Sequence, residues 1–103
     1  MNHIEELQDV IRKLHESEST HVETVPVKET FQGQTVWEGE VEVFDLHGHP
    51  TASRIYAWSH DTDDPDHPKR HVTVLHLPPA TTPRRAVQVS IASDYREQVN
   101  AEN

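Results

Sequence analysis

The chain has 103 residues, 33% of them hydrophobic, no cysteine, and 18 acidic against nine basic side chains, for a formal net charge of -9. The lack of cysteine excludes a disulfide scaffold, a thiol nucleophile and a thiolate zinc site. The charge opposes a phosphate backbone or an anionic lipid surface, so neither nucleic acid nor a membrane is an expected partner.

The same charge favours solubility or a basic protein partner. No apolar run approaches the ~20 residues of a membrane-spanning helix. The start, Met1-Asn2-His3-Ile4-Glu5-Glu6, lacks the basic and apolar regions of a secretory signal, and the cytoplasm is the expected compartment. The length suits one domain over residues 1–103. A chain this short and this poor in apolar residues builds a small core, so association with a second copy is expected to help it.

Residues 3–16 read as a helix. Ile4, Leu7, Val10, Ile11 and Leu14 form one helical stripe, and Asn2 with Glu5 three positions on makes a capping-box pattern. Glu5 and Glu6 sit at the positive end of the helix dipole, Arg12, Lys13 and His15 at the negative end. Residues 21–31 read as a strand with Val25, Val27 and Phe31 on one side. Pro26 lacks an N–H, which places this strand at an edge or gives it a bulge. Gln32-Gly33-Gln34 makes a turn.

Residues 35–46 are a strand with Trp37, Gly39, Val41 and Val43 on one face and Glu38, Glu40 and Glu42 on the other. His47-Gly48-His49-Pro50 turns the chain, and residues 51–60 form a third strand. There Ile55 and Ala57 point one way, Arg54, Tyr56, Trp58 and His60 the other. An acidic loop over residues 61–69 leads to a fourth strand at 70–77, apolar on both sides and therefore inner or covered on both faces. After Pro78-Pro79, Thr82 caps a last helix that starts at Pro83 and carries Val87, Ile91 and Tyr95 at spacing four. Val87, Val89 and Ile91 also alternate like a strand over residues 84–98, but the Thr-Thr-Pro entry and the charged tail favour a helix. Residues 100–103 are expected to fray. The order helix, four antiparallel strands, helix defines an α+β protein, expected as a two-layer sandwich with both helices on one face of the sheet.

Centring the middle hairpin on Gly48 pairs Glu42 with Arg54, Glu40 with Tyr56, Glu38 with Trp58, and Val41 with Ile55. Pairing the third and fourth strands about residue 65 places Val74 beside Tyr56 and Val72 beside Trp58. The face away from the helices then carries Tyr56, Trp58, Val72 and Val74, bordered by Glu38, Glu40, Glu42 and Arg54. Such a patch suits an interface between two copies, a small ligand or a basic protein; its alternative is an aromatic cluster that only stiffens the sheet.

The run Val36-Trp37-Glu38-Gly39-Glu40-Val41-Glu42-Val43-Phe44-Asp45-Leu46-His47-Gly48-His49-Pro50, then Tyr56-Ala57-Trp58-Ser59 and Val74-Leu75-His76-Leu77-Pro78-Pro79, resembles a pattern shared by short uncharacterised bacterial proteins. The resemblance spans residues 20–97 and implies no activity or catalytic residue. The element order also loosely resembles the double-stranded-RNA-binding domain. That family meets phosphates with a lysine-rich start to its last helix, where this acidic chain offers only Arg84 and Arg85.

Nine histidines suggest a second class of function. His47 and His49 flank Gly48, and with Asp45 or His60 they offer nitrogen and oxygen ligands for zinc or a related metal, or the parts of an acid–base enzyme. Their spacing matches no closed metal site, and solvated turn histidines are the favoured explanation. Residues 61–66 cluster carboxylates but lack the Gly and Glu positions of an EF-hand loop. No cofactor is expected. Since no four-ligand spacing appears, thermal stability should be indifferent to a strong chelator; a large fall in melting temperature, reversed by zinc, would show a structural metal.

Overall fold

The computed structural model describes the backbone of residues 2–101 and the side chains of residues 2–93. The elements are α1 (His3–His15), β1 (Glu18–Phe31), β2 (Gln34–His47), β3 (Arg54–Asp61), β4 (Lys69–Leu75) and α2 (Pro83–Ala101). The strands form one antiparallel sheet in the order β1-β2-β3-β4, so β1 and β4 are its edges. The chain is thus an α+β protein with the expected order. The helical reading of the last segment holds, and Asn100 and Ala101 still belong to α2. The side chain of Tyr95, and the fraying expected at residues 102–103, lie outside the described residues.

Local chemistry sets the ends of the elements. The Asn2 side chain accepts the Glu5 N–H at 2.8 Å and donates to the Glu5 carboxylate at 3.0 Å, a reciprocal cap for α1. Glu16 stops the helix in a left-handed conformation, its N–H donating to the Arg12 carbonyl at 2.9 Å. Thr82 accepts the Arg85 N–H at 3.1 Å at the start of α2. Gln32 and Gly33 both take positive φ, 52° and 77°, as a two-residue hairpin turn between β1 and β2 requires.

The middle hairpin departs from the expected register. Glu42 lies opposite Ala57, Val43 opposite Tyr56, Phe44 opposite Ile55 and Asp45 opposite Arg54. The connection is not a tight turn on Gly48 but a loop of residues 48–53, closed by the Leu46 N–H donating to the Ser53 carbonyl at 2.9 Å. Within it the His49 ring nitrogen Nδ1 accepts the N–H groups of Thr51 and Ala52, both at 3.1 Å, and Ala52 is buried. The wider loop moves the pairing by an odd number of residues, which exchanges the faces of β3 relative to β2. The pairing of β3 with β4 agrees with expectation: Tyr56 faces Val74 and Trp58 faces Val72.

That exchange decides where the helices go. One face gathers Val27, Val41, Val43, Tyr56 and Trp58 under Ala86 and Val87 of α2. The other gathers Phe44, Leu46, Ile55 and Ala57 under Leu7 and Ile11 of α1. The helices therefore take opposite faces, not one, and the sheet is the middle layer of three. Edge strand β4 obeys the same division. His15 of α1 reaches Thr73 at 2.9 Å, while Val72 and Val74 pack with the α2 cluster. Trp37 lies across Gly39, where a Cβ would stand 3.1 Å from the ring, and meets Trp58 edge-on with centroids 5.7 Å apart.

Tyr56 and Trp58 are thus core residues, each 2% exposed, and the open aromatic face expected from sequence does not exist. Trp58→Ala should lower unfolding stability by about 3–5 kcal/mol, read from urea denaturation. A loss under about 1 kcal/mol, the level of a surface change, would contradict this packing.

Candidate functional site

A groove of about 580 Å³ runs between the tip of the β1–β2 hairpin and α2, lined chiefly by Glu29, Phe31, Val36, Gln88, Ile91 and Ala92. The hairpin makes it. β1 and β2 pair along their full length to Phe31 and Gln34, whereas β2 and β3 pair only over residues 42–45 on the β2 side. The tip therefore projects past the rest of the sheet, and among the described residues it has α2 beside it. Phe31 is 66% exposed, Val36 54% and Ile91 36%.

Polar contacts below the groove fix its shape. The Glu29 carboxylate, 9% exposed, accepts from Arg84 Nε at 2.7 Å and from Gln88 Nε2 at 3.3 Å, pinning the first turns of α2 to β1. With both donors in place, Glu29 presents no unpaired charge to the hollow. Neither Glu29 nor the hollow was legible in sequence, where Glu29 reads as one exposed acid of an edge strand.

The residues singled out from sequence scatter. Glu38 and Glu40 are exposed on the hairpin, and Glu38 lies 3.8 Å from Lys28. Arg54 pairs with Asp45, three places from its expected partner Glu42: both Nε and Nη2 stand 3.1 Å from Oδ1. Glu42, expected on an exposed border, is 2% exposed. It accepts from the Thr24 hydroxyl by a short bond and lies 2.9 Å from His21 Nε2. A bulge between His21 and Glu23 explains this. It sets His21 opposite Phe44 and Thr24 opposite Glu42, so residues three apart in one strand reach the same carboxylate. His21 also stacks edge-on against Phe44 at 5.3 Å. Sequence reading passed over His21, because a bulge leaves no sign in hydrophobic alternation.

The metal candidates do not converge. His47 Nε2 bonds the Thr20 hydroxyl at 2.6 Å, His49 organises its own loop, and His60 Nδ1 lies 3.2 Å from the Asp61 carbonyl at the other end of β3. Among the described residues, no three of His, Asp and Glu come together in a way that holds a metal ion. The acidic loop closes on itself. Asp64 accepts the Asp66 N–H at 2.9 Å and contacts His67 at 3.2 Å, and these bonds, the backbone one foremost, hold its carboxyl below the usual range. Tyr56 meets His76 Nδ1 at 2.5 Å, and burial raises its phenol above the usual value. Among the described residues, no helix is long and apolar enough to cross a membrane.

At the end of α1, burial first and then neighbouring His49, with ring centroids 6.2 Å apart, lower the His15 pKa. The folded state thus binds fewer protons here than the unfolded chain, so the stability His15 contributes is full above its unfolded pKa. It is lost as pH falls through that value toward the lowered one. Melting temperature should fall as pH drops through about 6.5, the unfolded value, and His15→Gln should flatten the fall. An identical pH profile in the variant would rule out this group as a source.

No family model, curated protein or solved structure matches this chain.

Proposed function

We propose that this chain is a non-enzymatic binding or assembly module whose contact surface is the apolar groove between the β1–β2 tip and α2. The observation that carries the reading is the exposure of Phe31, Val36 and Ile91 around one hollow. Single exposed apolar residues are ordinary, but several large ones around a concavity mark a surface that is covered when the protein works. Fully burying an exposed side chain of this kind is worth about 1.5–3 kcal/mol, and covering these three gains the share that is still in water. The two-residue turn and the paired strands fix the backbone that carries Phe31 and Val36, so little backbone freedom is lost on contact. The surface first favoured from sequence, around Tyr56 and Trp58, already has its cover in α2.

A neutral apolar dye whose emission responds to its surroundings tests the groove. Dilute protein should bind it, and Phe31→Asp should weaken binding at least about tenfold, the worth of roughly 1.4 kcal/mol, with an unchanged thermal melt. Equal dye binding by both proteins would refute the groove as the contact surface.

A further inference from the structure

Resting on that reading of the groove, we infer that its occupant is a second copy of this chain, placed by a two-fold axis so that Phe31 of each copy enters the groove of the other. Charge is the first argument. Residues 30–36, Thr-Phe-Gln-Gly-Gln-Thr-Val, carry no ionisable group on a chain of net charge -9. Among the described residues, the charged side chain that lines the groove, Glu29, is paired with Arg84 at 2.7 Å. Among the described residues, acids gather in the first turn of α1 and in residues 61–66, and those of the hairpin, Glu38 and Glu40, lie further from its tip. Two like-charged copies repel across acidic surfaces and approach at least cost through a locally neutral one. A basic partner would seek the acidic surfaces instead.

Shape is the second argument. A two-fold contact needs both halves of the fit on one patch. This patch has them: a hollow against Ile91 and Ala92, and at its rim a mostly exposed Phe31 next to the two-residue turn. The tip extends beyond the pairing of β2 with β3, so it reaches a neighbour without disturbing either core layer.

Sedimentation velocity over a concentration series, with dye titration on the same samples, tests this. Wild type should move from the chain mass to twice that mass at micromolar concentration. Dye binding should fall as the dimer forms, because the second copy displaces the dye. Raising salt from about 0.05 M to about 0.5 M should tighten the dimer by screening the like charges. Phe31→Asp should be monomeric with an unchanged melt, and Val36→Glu, on the opposite strand of the tip, gives the same readout should the first variant fold poorly. A dimer that survives both substitutions would overturn the proposal. So would a monomer at every concentration that still binds dye, an outcome that leaves the groove reading standing. A monomer that binds no dye would overturn both.

Discussion

The pairing of Val43 with Tyr56 is the constraint on which the rest of this molecule depends. In an antiparallel sheet, neighbours directly opposite share a face, so this pair commits Val41, Val43, Tyr56 and Trp58 to one side and Phe44, Leu46, Ile55 and Ala57 to the other. Each side then holds a complete apolar set, and each needs a cover. The two helices supply one cover apiece, although few of their described residues are fully buried: Leu7 and Ile11 in α1, Ala86 and Val87 in α2. A chain with a third of its residues hydrophobic builds two thin cores around a shared sheet, not one thick core on one side.

Two irregularities hold that arrangement. The six-residue loop 48–53 sets the odd pairing, and the His49 ring organises it by accepting two backbone N–H groups. The bulge in β1 lets His21 and Thr24 both meet Glu42, a carboxylate that would otherwise be a costly buried charge. Of the residues that suggest metal or acid–base chemistry in the sequence, Asp45 and His47 bond across neighbouring strands and His49 within its own loop.

The unequal strand lengths create the exposed apolar surface at the hairpin tip. β1 and β2 have 14 residues each, β3 eight and β4 seven, so the long hairpin overhangs its neighbours. Along the overhang the sheet has α2 for company and nothing else described. Glu29, Arg84 and Gln88 clamp that helix, and above the clamp Phe31, Val36 and Ile91 remain in water. The overhang thus leaves an apolar protrusion free of ionisable groups over residues 30–36 on an acidic chain.

The sequence by itself determined the elements. Period-3.6 and period-2 patterns, the Asn2 cap, the Thr82-Pro83 entry and the Gln32-Gly33 turn all act within a few residues, and each appears in the structure close to where the pattern places it. The β3–β4 register was legible too, because Tyr56, Trp58, Val72 and Val74 are self-consistent across that pair. What only the tertiary structure decided is parity. Val41 beside Ile55 and Val43 beside Tyr56 are equally good apolar pairs, so local chemistry does not choose between an even and an odd register. The choice rests on how residues 48–53 fold and on whether a second helix is available to cover the second face. With parity went the identity of the exposed surface: Trp58 passed from candidate interface to core, and Phe31, which reads as an inward residue at the end of β1, came to stand in solvent because no third strand reaches the tip.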